Sequence, residues 1–307
     1  MSSAGTSYES TPETSLEHIV NYAAIALIAA VILYGVATLI YGGIFIWIGT
    51  GPFGSPRLIG AGALVIIGAL AEIGAASILL LPVIGGGGLP RKEEILSGVG
   101  RYGILYYLVL GYFFLIGLGY TVAGTYLAGI SLILAAIFLG LVFAAWRRMF
   151  AIPPVITAIF MVIGGVLFSI YGFASLDISL GMEAGVLGLG ILFVGIYYLL
   201  INMGVRNPGL EKAMYYIVIM TGEAGFIVGG IGGFVAIANS LAWQGVRIAA
   251  SVFTLLYGIA ALIGGLIAFL YTVRQAIVEI SAKSPPPPPA APAIPPASPP
   301  PPPPPKS

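Results

Sequence analysis

Cysteine is absent from the 307 residues, which excludes disulfides, thiolate metal sites and cysteine nucleophiles. Histidine occurs once, at His18. This chain alone therefore cannot supply a bis-histidine haem, a di-iron helix pair or a histidine-based zinc site. Charge is scarce as well: 7% of the residues carry it, against about 25% in soluble globular chains. Twelve basic and eleven acidic side chains cannot cover even one water-facing domain, and a net charge of +1 leaves no nucleic-acid signature. What fills the chain instead is apolar, 59% of it, with a mean hydropathy of +1.07. The solvent that suits such a composition is a lipid bilayer.

Residues 1 to 18 are rich in Ser and Thr and hold Glu9, Glu13 and Glu17 without a Lys or Arg. The positive n-region of a signal peptide is missing, so this stretch reads as a disordered cytoplasmic head. Thr14-Ser15-Leu16-Glu17 has the S/T-x-x-E spacing of a capping box, which predicts a first helix starting near residue 15. From Ile19 to Tyr271, apolar runs recur that are long enough to cross a hydrocarbon core, which takes about 20 residues. Charges and turn residues cut them into about eight spans, near 19–45, 58–81, 102–121, 126–146, 153–175, 184–203, 213–237 and 248–272. The 45 residues from Tyr102 to Trp146 carry no charge; at twice a crossing they must fold back, around Thr121 to Tyr126. Pro153 suits a helix start, and Asn207-Pro208 pairs a cap with a first-turn proline. The expected fold is all-α: a polytopic integral membrane bundle occupying residues 19–283.

With an inside N-terminus, ten basic residues from Arg91 to Lys306 fall on one side, and only Arg57 and Arg247 on the other. Basic loops resist translocation, so both ends of the chain are expected in the cytoplasm and the protein in the cell membrane. Reporter fusions after Ser15 and after Lys283 should both report cytoplasm; opposite locations would require an odd number of spans. Trp47, Trp146 and Trp243 fall at predicted helix ends or in a loop, where an amphipathic ring prefers the headgroup zone.

Residues 284 to 307 hold 15 of the 23 prolines. Such a run can form neither helix nor sheet; as polyproline II, at about 3.1 Å per residue, it would reach roughly 70 Å. It reads either as bait for an aromatic-lined groove on a protein partner or as a spacer that binds nothing specific.

Gly98-Val99-Gly100-Arg101-Tyr102-Gly103 fits G-x-G-x-x-G but lacks the preceding strand and the acid about 20 positions on. Gly85 to Gly88 is followed by no G-K-[ST], so it is no phosphate cradle. No motif asks for a cofactor or a metal. Gly222, Gly225, Gly229 and Gly233 share one helical stripe, read as a packing seam or as a surface that slides during transport. The 17 tyrosines suit interface anchoring, and a minority could line a substrate cavity.

Two acids lie inside the predicted spans, Glu72 in the second and Glu223 in the seventh. A charge at the bilayer centre costs roughly 2.5–3.5 kcal/mol on insertion scales, so such residues normally face protein or water and mark a pathway. Around Glu72, the residues Ala61, Gly68, Ala69, Ala75 and Ala76 form a small-residue face suited to another helix. Each acid reads either as a protonated, hydrogen-bonded packing residue or as a proton or cation relay, and their similar depth suggests one shared cavity. Glu183-Ala184-Gly185 repeats Glu223-Ala224-Gly225, but Glu183 is expected at the outer end of its span, meeting headgroups or water. An intramembrane enzyme is disfavoured, because nucleophilic chemistry needs a paired base. The reading is therefore a proton- or ion-coupled transporter or channel for a small solute. The alternative is a non-catalytic anchoring subunit of a larger membrane complex, with homo- or hetero-oligomers both open.

Overall fold

The structure, a computed structural model, describes residues 12–52, 54–85, 90, 94, 101–174, 178–205, 207–241 and 247–282. Among them are eight α-helices and no strand: α1 Pro12–Gly49, α2 Pro56–Ile84, α3 Arg101–Ala123, α4 Tyr126–Trp146, α5 Pro154–Ala174, α6 Ile178–Asn202, α7 Pro208–Leu241 and α8 Arg247–Ala282. Each contains a stretch long and apolar enough to cross a membrane, so the chain is an all-helical, multi-pass membrane bundle. The tail 284–307, Trp243 and the glycine motifs at 85–88 and 98–103 lie wholly or largely outside the described residues.

Helix ends follow local chemistry. Pro56, Pro154 and Pro208 occupy first turns, where a missing N–H costs nothing. Asn207 Oδ1 accepts from the N–H groups of Gly209 at 2.9 Å and Leu210 at 3.4 Å, and Ser55 Oγ accepts from Arg57 N–H at 3.3 Å. The first helix departs from expectation. It begins at Pro12 rather than near residue 15, because a proline opens the helix ahead of the capping box. The fold-back inside the uncharged run falls at Gly124, whose φ of +100° is left-handed. There the N–H of Thr125 reaches Tyr120 O at 2.9 Å and that of Gly124 reaches Thr121 O at 3.1 Å, the paired bonds of a Schellman end.

Connections of two to seven residues join all consecutive helices except α2 and α3, which 16 residues separate. Every helix packs on its chain neighbours, and α1 packs on α8, which closes the eight into a ring. An ion pair between Lys212 and Glu279 ties the start of α7 to the end of α8. Inside the ring, Phe113 of α3 meets Phe168 of α5 edge-to-face at 4.8 Å, and Tyr120 meets Tyr171 at 6.0 Å. Val65, Tyr112, Ile116, Leu132 and Ala184 continue this core. Large apolar side chains face outward instead, including Ile67, Leu70, Leu127 and Leu270, each more than half exposed. That pattern suits lipid and no water-soluble surface.

In lipid, apolar burial no longer drives helices together, and close backbone approach replaces it. Each of the four successive hairpins has one glycine-on-glycine crossing: Gly42 with Gly62, Gly117 with Gly129, Gly165 with Gly188, and Gly230 with Gly258. In every pair, a Cβ added to either glycine would strike the carbonyl oxygen of the other, at 2.9 Å or less. The ring is thus four hairpins built on one contact. A Cβ at Gly62 would also meet Ile46 Cγ1 at 2.8 Å and Ile46 N at 3.0 Å, whereas one at Gly43 meets nothing within 4 Å. Gly62→Ala should therefore destabilise the detergent-solubilised protein by about 1–3 kcal/mol and Gly43→Ala should not, as thermal unfolding of the two would reveal.

Candidate functional site

Glu72 sits at the middle of α2 and points toward α1. A Cβ at Gly35 would lie 3.4 Å from its Oε2 and 2.6 Å from Ile73 Cγ1, so a glycine on α1 leaves the room that the carboxyl occupies. Glu72 Oε2 is buried and has no hydrogen-bond partner. A buried acceptor without a partner is unusual, and such a group asks for an explanation.

Its electrostatic neighbour is an acid on another helix. Glu183 on α6 lies within electrostatic range of Glu72, and Tyr112 on α3 lies within range of both. Glu183 is 7% exposed and accepts a hydrogen bond from the hydroxyl of Tyr257 on α8. The ring of Tyr257 is itself 1% exposed and held edge-to-face by Tyr34 of α1, with centroids 5.1 Å apart. Gly229 of α7 is what lets α6 and α8 reach each other. A Cβ there would collide with the Tyr257 hydroxyl and stand 2.5 Å from Glu183 Oε2. Five helices thus deliver two carboxyls and three phenol rings to one place: Tyr34, Glu72, Tyr112, Glu183 and Tyr257.

Glu223, on α7, belongs to a different contact. Thr272 Oγ1 of α8 donates to Glu223 Oε1 at 2.7 Å, and Glu223 Oε2 is buried without a hydrogen-bond partner. The hydrogen-bond partner of Glu183 is Tyr257, and that of Glu223 is Thr272. Glu183 stands at the outer end of its apolar stretch, which begins at Met182, as the sequence places it, but its side chain is buried inside the protein on the hydroxyl of Tyr257. The duplicated Glu-Ala-Gly tripeptide was the signal that could have matched it to Glu223 as a second interior acid. The glycine stripe resolves into separate duties: Gly225 meets Leu187 of α6, Gly233 meets Thr254 and Gly258 of α8, and Gly229 faces the acid.

Among the described residues no lysine, arginine or histidine forms an ion pair with Glu72, Glu183 or Glu223, and no group of three or more His, Cys, Asp or Glu is placed to hold a metal. No protein-family model, no curated protein and no solved structure matches the chain.

Proposed function

We propose that the chain moves protons or small cations across the membrane, coupled to a small solute or as a channel, with Glu72 and Glu183 as the exchanging carboxyls. One observation carries this reading: Glu72 Oε2 is buried without a hydrogen-bond partner and a second acid, Glu183, is buried on the hydroxyl of Tyr257, with no basic side chain paired to either among the described residues. In a low-dielectric interior, two carboxylates repel, and the positive charge that offsets them must arrive as a proton or a cation. A group that has to gain and lose such a partner is a relay. The buried, unpartnered Oε2 of Glu72 is the acceptor that a travelling proton or cation would use. Glu223, with Thr272, stands on the α7–α8 pair and serves as a second station in this scheme, apart from the Glu72–Glu183 pair.

The orientation that goes with this reading has both chain ends in the cytoplasm of a cell-membrane protein. Vesicles carrying the protein and an internal pH dye, driven by a proton gradient with the potential clamped, should acidify faster than empty vesicles. Equal rates in both, across proton, sodium and potassium gradients, together with stoichiometric partners in a mild-detergent pull-down, would replace this reading with that of a non-catalytic subunit.

A further inference from the structure

At the foot of α6 and α7 lies a cleft of about 780 Å³ that the transport reading does not use. Its walls include Tyr197 and Tyr198 of α6, and Tyr215, Met214 and Lys212 of α7. Tyr198 and Tyr215 are half exposed. Tyr198 lies four residues before the end of α6 and Lys212 four after the start of α7. At 1.5 Å per residue that is roughly 6 Å from either helix end, which is headgroup depth. We propose that this cleft is the docking site of the chain's own proline-rich segment, residues 285–305.

Position comes first. The proline run leaves from the end of α8, and Glu279, three residues before that end, is paired with Lys212 in the cleft wall. Pro285 is the third residue after Ala282, about 10 Å of extended chain away. Neighbouring helices stand about 8–10 Å apart, so the first prolines fall at the cleft mouth without a detour. Being tethered there, they face it at an effective concentration in the millimolar range.

Chemistry agrees. Polyproline II is read by grooves lined with aromatic rings, which stack on the pyrrolidines, while polar hydrogens reach its carbonyls. Three tyrosines supply both. Fifteen of the 21 residues from 285 to 305 are prolines without an N–H, so this segment leaves far fewer unpaired donors at headgroup depth than another extended chain would. Charge agrees too: Lys212 in the cleft wall is already paired with Glu279, which leaves Glu211 as the lining charge for Lys283 and Lys306, the charged residues from 283 onward.

The absence of cysteine makes the test clean. In the full chain in nanodiscs, spin labels on Val205→Cys and Ala297→Cys should give one distance distribution. It should be about threefold narrower than when residues 285–289 are replaced by a Gly-Ser run, which behaves as a free coil. Tyr198→benzoylphenylalanine should crosslink to the tryptic peptide of residues 284–306 of the same chain. A wild-type distribution as broad as that of the Gly-Ser chain overturns the proposal. Crosslinks to lipid or to a second protein chain alone also overturn it, since they would give the cleft to an acyl chain or an external partner.

Discussion

Glu72→Gln in reconstituted vesicles is expected to lose proton movement while inserting and unfolding like the parent. Glutamine keeps the size of the side chain and can still donate and accept hydrogen bonds. What it removes is titration. A positioned proton-transfer group is typically worth about 10²–10⁴ in rate, so a fall of roughly 100-fold is the expected scale. Glu183→Gln should behave alike if both carboxyls carry the proton, since glutamine removes titration there as well. Glu223→Gln is the discriminating variant. Its partner is Thr272, and it should cost less than about tenfold, an order below the pair. Flux untouched by Glu72→Gln and Glu183→Gln would show that these acids are packing groups and sink the relay. Equal losses in all three variants would show that Glu223 shares the site after all.

Apolar runs and the charges between them suffice to place eight crossings, and the observed helices overlap every predicted span. Even the fold-back in the 45-residue uncharged run is legible, since Thr121 to Tyr126 contains the glycine that takes a left-handed φ. Partner choice is what periodicity does not encode. A helical wheel gave Glu72 a small-residue face, and nothing in it says that the facing helix is α1 at Gly35 or that the nearby acid is Glu183. The ring closes through α1 on α8, a contact between residues more than 200 positions apart. The four-hairpin repetition is hidden for a related reason. The paired glycines are separated by 20, 12, 23 and 28 residues, because the hairpins cross at different distances from their turns, so no fixed period survives in the sequence. For Glu183, hydropathy places the residue at the outer end of its apolar stretch but does not say that Tyr257 of another helix buries it there.

Gly229→Ala should be among the most damaging single-methyl changes in the protein. In a helix, replacing glycine by alanine normally gains up to about 1 kcal/mol, so a loss here has to come from contact. The new Cβ collides with the Tyr257 hydroxyl and stands 2.5 Å from Glu183 Oε2. Neither group can easily yield: Tyr257 is 1% exposed and locked against Tyr34, and Glu183 is buried at the far end of the same hydrogen bond. Breaking that bond leaves a buried carboxyl unsatisfied, a cost of about 1–3 kcal/mol, and the overpacking adds a similar amount. Together they predict a loss of roughly 2–5 kcal/mol. Gly222→Ala, on the same stripe but with its nearest neighbour, Leu187 Cδ2, at 4.0 Å, should be neutral or slightly stabilising. Tyr257→Phe removes the hydroxyl that the methyl strikes. In the double variant Glu183 is free to rotate away, and more than half of the Gly229→Ala loss should disappear. Thermal unfolding of the four proteins gives that coupling energy directly. Additive losses, or a Gly229→Ala protein as stable as the parent, would mean that α7 does not hold the gap through which α6 and α8 share a hydrogen bond.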